Sequence, residues 1–197
     1  GHLPKKCDTY TELLEASGYK VGYTGKGWGP GSVEEGGREH NPAGKVYNKQ
    51  KLDPFPELGS DGGIFDIDYA GNFKQFLGAR TEGQPFCFWY GPFEPHRVFD
   101  KGIGQRAGKQ LSEVEVPAFL PDTEEVRADL LDFYFEIEWI DTQVGKMVEL
   151  LEQRGELENT LIVFTSDNGM PFPRAKCTLY EAGTHMPLIA FWRNEID

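Results

Sequence analysis

The 197 residues contain no apolar run near the ~18 needed to span a bilayer as a helix. Cysteine is scarce. Cys7, Cys87 and Cys177 lie far apart with no CxxC spacing, which excludes a sequence-evident zinc site and a disulfide scaffold and leaves the redox compartment open. Histidine is equally sparse (His2, His40, His96 and His185), and these four form no cluster of the kind that holds transition metals. Basic residues are in deficit, 20 against 32 acids for a net charge of −12, and nowhere form the clustered stripe of a nucleic-acid binder. The first six residues, Gly1 to Lys6, lack the apolar h-region of a signal peptide. There are no internal repeats.

What is present is a globular composition: 39% apolar, 13% aromatic and 26% charged, with enough length to bury a sizeable core. The negative charge is local. Ser112 to Glu158 carries 14 acids against 3 bases, and the rest of the chain is almost balanced, so the acidity marks a solvated face and not a ligand.

Asp8 to Gly18 reads as a short helix capped by Asp8 or Thr9, with Leu13 and Leu14 as its apolar contact and Gly18 as its stop. Tyr19 to Thr24 reads as a strand that empties into the glycine-rich loop Gly25-Lys26-Gly27-Trp28-Gly29-Pro30-Gly31. Ser32 to about Arg80 lacks periodicity and reads as a long loop, unusual unless it shapes a site. Phe86 to Tyr90 fits a strand buried on both faces and leads into Pro95-His96-Arg97. A long helix begins near Asp122, where Asp122 and Glu125 form a capping box. Its stripe is Phe133, Ile137, Ile140, Val144, Met147 and Leu151, and Gly155 ends it. Thr160 to Thr165 reads as a buried strand ending at Ser166-Asp167-Asn168-Gly169, and Leu188 to Trp192 as one more strand. Strands alternating with helices predict an α/β fold, a mostly parallel sheet with helices on both faces.

The polar groups therefore gather at strand ends, the edge of an α/β sheet where ligands bind. Adjacent Asp167 and Asn168 offer one charged and one neutral oxygen, which suits calcium or magnesium. Lysines on glycine-rich loops suit an oxyanion as point charges. His96, between prolines and an arginine, can serve as a general acid. Each feature alone is more often a plain turn or surface decoration; their convergence on one edge argues for function.

Thr165-Ser166-Asp167-Asn168-Gly169 behind a Thr-Leu-Ile-Val-Phe strand resembles the Ser-Asp-Asn-Gly signature of the sulfatase family. Ile140-Asp141-x-x-Val144-Gly145 and Tyr19 to Lys26 are similar to that family's helix and Gly-Lys strand. Pro95-His96-Arg97, Asp167 to Pro173, and Leu179-Tyr180 with Gly183-Thr184 look closest to its heparan N-sulfatase branch. The resemblance implies an alkaline phosphatase-like fold and hydrolysis of a sulfuric ester or sulfamate on a sulfated glycan. Asp167 and Asn168 would be calcium ligands, Lys26 and Lys176 sulfate contacts and His96 the acid for the leaving group. Arg97 and Trp28 would join Lys26, His96 and Lys176 in holding the sugar. It also implies a periplasmic, secreted or lysosomal setting.

Two departures stand out. Trp28 occupies the place of a family histidine, where an aromatic suits a sugar pocket. The Cys/Ser-x-Pro-x-Arg motif that is converted to the nucleophilic formylglycine does not occur. The chain is thus expected to be an internal part of a sulfatase catalytic domain, inactive alone, with formylglycine and further calcium ligands supplied from upstream. Two other readings compete: a non-catalytic sulfated-glycan-binding domain, and a phosphatase or phosphonate hydrolase of the same superfamily.

Overall fold

The structure, a computed structural model, describes residues 1–29, 31–58, 62–193 and 195–196. The chain divides into two compact units. One comprises Gly1–Pro56 and Ile64–Glu94, the other Glu57–Gly63 and Pro95–Asp197.

The first unit is built on three parallel strands in the order β2-β1-β3, with β1 (Lys20–Gly25) between β2 (Lys45–Val46) and β3 (Phe86–Gly91). Val21, Gly22, Thr24 and Gly25 are all buried, as befits a central strand of a covered parallel sheet. Helix α1 (Tyr10–Ala16) starts at a Thr9–Glu12 capping box, so Thr9 and not Asp8 is its cap. Leu13, expected to be an apolar contact, is exposed. Helix α2 (Tyr69–Gly78) falls inside the stretch that reads as loop. Its Phe73 and Phe76 rings meet Phe88 of β3 at 4.8 and 4.7 Å, and Phe76 also meets Tyr47 at 5.4 Å. This aromatic cluster forms the unit's core.

In the second unit, helix α4 (Glu124–Gln153) is the spine. Its N-cap is Thr123, whose hydroxyl accepts from the Val126 N–H, while Asp122 pairs with Arg127. The predicted Asp122–Glu125 capping box is thereby replaced. Leu130, Leu131 and Phe133 pack with Phe99, Val114 and Phe172. Buried Asp132 accepts from the Gly102 and Gly104 N–H groups at 2.8 and 2.9 Å, tying α4 to the short helix α3 (Ile103–Arg106). Strands β4 (Ile162–Thr165) and β5 (Leu188–Phe191) pair antiparallel. Val163, Leu188 and Ile189 are more than half exposed, so this ribbon is not the buried strand the sequence predicts.

Candidate functional site

In the first unit, Lys26 leaves β1 at a point where the backbone is tightly held. Gly25 has φ 76°, and a Cβ there would lie 2.0 Å from the Gly91 carbonyl oxygen, so only glycine fits. The Lys26 N–H donates to that same oxygen at 2.6 Å. Asn48 completes the clasp: its Oδ1 accepts from the Thr24 hydroxyl and the Gly25 N–H, and its Nδ2 donates to the Gly25 carbonyl. The exposed Lys26 ammonium sits 5.7 Å from the Phe93 ring centroid. Trp28 is fixed by Asn41, whose side chain accepts from the Trp28 N–H at 2.9 Å and donates to its carbonyl at 3.0 Å. Asn41 and Asn48 went unrecognised in the sequence. A lone Asn in a glycine-rich stretch reads as a turn residue.

Buried Glu94, just beyond β3, accepts from the Tyr69 hydroxyl at 2.7 Å and the Phe65 N–H at 2.8 Å. Burial, with the carboxylate alongside, pushes the Tyr69 and Tyr90 phenols well up. Burial likewise raises the Cys87 thiol, so β3 holds an inert cysteine.

The remaining predicted residues belong to the second unit. The exposed His96 ring brings Nδ1 within 2.7 Å of the Arg97 carbonyl, which places the Nδ1 proton on that bond and leaves Nε2 for chemistry. Arg97 grips Asp129 with both terminal nitrogens at 2.9 and 2.6 Å and donates from Nε to the Pro171 carbonyl. Its guanidinium lies between the Phe99 and Phe172 rings, 4.5 and 4.7 Å from their centroids. Arg97 therefore fastens the His96 loop to α4 and to the loop after Asp167.

That loop runs from β4 to α5 (Glu181–Thr184) as a series of interlocked turns. Asp167 is exposed and Asn168 half-buried. The Ser166 hydroxyl donates to the Asn168 carbonyl at 2.9 Å, and Asn168 Nδ2 donates to the Gly169 carbonyl, which leaves Asn168 Oδ1 as the acceptor a cation would use. The Lys176 N–H donates to the Met170 carbonyl at 3.1 Å. A Cβ on Gly169 would lie 2.0 Å from the Ala182 carbonyl oxygen, so the Asp-Asn turn rests directly on the α5 backbone. The fold thus brings Asp167, Asn168 and Lys176 into one loop system.

Two adjacent oxygen donors fit a hard cation in kind but fill only part of a 6–8-ligand shell. Among the described residues, no group of three or more His, Cys, Asp and Glu side chains is arranged to hold a metal.

A family model described as Sulfatase matches residues 1–197. The chain belongs to the sulfatase family. The expectation drawn from Ser166-Asp167-Asn168-Gly169 holds at that level. The sulfatase chain is 44% identical over 77 residues to N-sulphoglucosamine sulphohydrolase of Homo sapiens, covering 39% of this chain and 15% of that protein. It is 37% identical over 86 residues to the ulvan-active sulfatase of Formosa agariphila, covering 44% of this chain and 14% of the relative. Its fold matches that of a Bacteroides fragilis protein assigned as a sulfatase, with TM-score 0.64 at 20% identity, over 99% of this chain and 51% of that one. The α/β, alkaline phosphatase-like fold expected of a sulfatase is therefore the fold of this one. The chain spans about half of that structure and a smaller share of the two curated relatives. No helix among the described residues is long and apolar enough to cross a membrane.

Proposed function

We propose that this chain forms part of the active centre of a hydrolase that cleaves sulfuric esters or sulfamates on sulfated glycans, heparan-type sugars foremost. The observation that carries the reading is the β4–α5 loop, which combines the Asp167-Asn168 oxygen pair with Lys176 in a chain of the sulfatase family. Asp167 and Asn168 would hold calcium, with Asn168 aimed by its own Nδ2 bond to the Gly169 carbonyl. When bound, calcium would stabilise charge on the sulfuryl oxygens, and formylglycine from a segment outside these 197 residues would supply the attacking oxygen.

The chain's own residues do the rest. Lys26 and Lys176 act as point charges on the sulfate, each carried on a backbone held by hydrogen bonds. His96 gives its Nε2 proton to the leaving nitrogen or oxygen, and the Nδ1 bond to the Arg97 carbonyl orients the ring for that transfer. Arg97 keeps that loop in place through Asp129 and Pro171 and so acts on the substrate through His96. Trp28, fixed by Asn41, offers a flat apolar surface to a sugar ring.

The test fuses a Cys-x-Pro-x-Arg segment of the family ahead of Gly1 and assays an aryl sulfate and N-sulfoglucosamine. Lys26→Ala and Lys176→Ala should each lower kcat/KM by about 10²–10³-fold, the usual loss for one preorganised charge-stabilising group. His96→Ala should harm the sulfamate far more than the aryl sulfate, whose leaving group needs no proton. Equal losses on both would remove His96 from the acid role. The 197-residue chain alone should give no turnover; activity that disappears in Lys176→Ala would place the nucleophile within it.

A non-catalytic sulfated-glycan-binding role is the second reading, in which Trp28 and the lysines hold the sugar without turnover. It predicts that the fused protein binds the sugar without hydrolysing it.

A further inference from the structure

Beside the Asp167 turn lies a cleft that the chemistry above does not use. It measures about 550 Å³ and is lined by Phe119, Arg174, Tyr180, Glu181, Ala182 and His185. It is an open depression, with Tyr180 55% exposed and the His185 and Glu181 side chains 76% and 84% exposed. Its surface combines two aromatic rings with charged groups in an uneven state of pairing. The Glu181 carboxylate is already engaged by His185 Nδ1 at 2.6 Å. The Arg174 guanidinium stacks on Tyr180, 4.8 Å from the ring centroid, and among the described residues no carboxylate or carbonyl accepts from it. Arg174 also has φ 63°, a left-handed backbone that a non-glycine residue adopts at a cost. The loop thus holds an unneutralised planar cation against an aromatic face.

The cleft is coupled to the candidate site through backbone alone. Ala182 forms part of its wall, and the Ala182 carbonyl oxygen is the atom a Cβ on Gly169 would strike. Gly183, next in sequence, is wedged between the Ala175 and Thr178 carbonyls, where a Cβ would lie 2.4 and 2.5 Å from their oxygens. Cleft wall and Asp167-Asn168 turn are therefore rigid neighbours.

We propose that this cleft is a subsite for a sugar ring bearing an oxyanion, adjacent to the ring whose sulfate is cleaved. The inference rests on the sulfated-glycan reading given above. Arg174 meets a sulfate or carboxylate with its two-pronged donor geometry, for which a guanidinium is better suited than an ammonium. Tyr180 and Phe119 cover the apolar C–H face of the ring. Glu181 accepts from ring hydroxyls alongside its bond to His185 Nδ1. An uncharged sugar would leave the guanidinium unmatched, so the cleft selects rings that carry charge.

The experiment titrates the 197-residue chain with N-acetylglucosamine 6-sulfate, glucuronic acid and N-acetylglucosamine, following Arg174 Nε–Hε by ¹⁵N NMR. Both anionic sugars should shift that resonance saturably and bind at least about tenfold more tightly than N-acetylglucosamine, the scale of one charge-assisted hydrogen bond. The order of the two anionic sugars tells whether sulfate or carboxylate is the preferred group. Arg174→Gln should abolish the advantage, Arg174→Lys should keep part of it, and Tyr180→Ala should weaken all three sugars. Unchanged amide spectra outside residues 166–185 establish that each variant is folded. Equal affinity for the uncharged sugar, or an Arg174→Gln chain that binds like the parent, overturns the subsite. A parallel titration with inorganic sulfate, read at the Lys26 and Lys176 ammonium resonances, tests the sulfatase reading separately. A response there with a silent Arg174 in the sugar titrations would refute the subsite alone.

Discussion

Glu12 and Arg38 form the clamp that closes the N-terminal segment onto the unit carrying Lys26, and its strength should follow pH. Arg38 donates from Nε to Glu12 Oε1 at 2.9 Å and from Nη2 to Oε2 at 3.0 Å. Its other bonds reach the Leu3 and Cys7 carbonyls, both at 2.5 Å. The Arg38 side chain is only 4% exposed and that of Glu12 30%. The Arg38 hydrogen bonds, helped by those from the Thr9 N–H and hydroxyl, hold the Glu12 carboxyl down from 4.5 to about 2. At ~1.36 kcal/mol per unit the full shift would be worth roughly 3 kcal/mol. Glu12 is partly in water, and screening brings the expected contribution to about 1–2 kcal/mol. Because the folded value lies below the unfolded one, this stability is fully present above pH 4.5 and is lost as pH falls toward 2. The perturbation is Glu12→Gln, which keeps the side-chain length and removes the titration. In thermal melts followed by circular dichroism, the variant should melt about 3–6 °C below the parent at pH 7. That gap should narrow steadily between pH 4.5 and 2 as the parent loses its advantage. A gap of constant size from pH 7 to pH 2.5 would show that the Glu12 charge is not linked to folding, and would refute the reasoning.

Phe76→Ala, at a fully buried ring surrounded by Tyr47, Phe86 and Phe88, should cost about 3–5 kcal/mol, read as a lower urea midpoint. Gly169→Ala should destabilise the β4–α5 loop by roughly 1–3 kcal/mol through its clash with the Ala182 carbonyl, seen as faster amide exchange across residues 167–185. Calcium should bind the chain more weakly than micromolar by calorimetry, since Asp167 and Asn168 supply two of 6–8 ligands, and Asp167→Asn should remove what binding there is.

How far the fold was legible depended on whether a residue's neighbours in space were also its neighbours in sequence. β1, β3 and α4 announce themselves through local runs and a 3.6-residue period, and they lie where that pattern places them. Helix α2 does not, because Gly71, Asn72 and Gly78 lower its helix propensity and mask the Tyr69, Phe73 and Phe76 spacing. It is held by long-range bonds instead: Asn72 exchanges hydrogen bonds with the Gln50 backbone 22 residues away. On α4 the apolar rule located the helix and most of its buried stripe, since Phe133, Ile140, Met147 and Leu151 are buried, but it erred at one position and missed the buried polar groups. Ile137 is 39% exposed, whereas Asp132, Glu136 and Gln143 are buried. Asp132 shows why: a carboxylate that caps another helix belongs inside, and no periodicity of apolar residues can reveal that.

The same distinction governs the site. Asp167, Asn168, Lys26 and His96 could be nominated because their chemistry lies in the side chain itself and their loops follow strands. The residues that hold them in place could not. Asn41 and Asn48 act through backbone atoms of segments remote in sequence, and Gly25 and Gly169 act by what they leave out. Arg97 shows how this changes an assignment. Beside His96 it reads as a sugar contact, yet Asp129, 32 residues on, and Pro171, 74 residues on, take a bond from each of its three nitrogens. On the proposed mechanism its effect on substrate passes through the position of the His96 ring. Arg97→Lys, which keeps the charge but loses the paired grip on Asp129, should therefore lower turnover of the sulfamate more than that of the aryl sulfate in the fused protein, as His96→Ala does. A direct sugar contact would instead raise KM for the sugar substrate and leave kcat alone, and that outcome would return Arg97 to the binding surface.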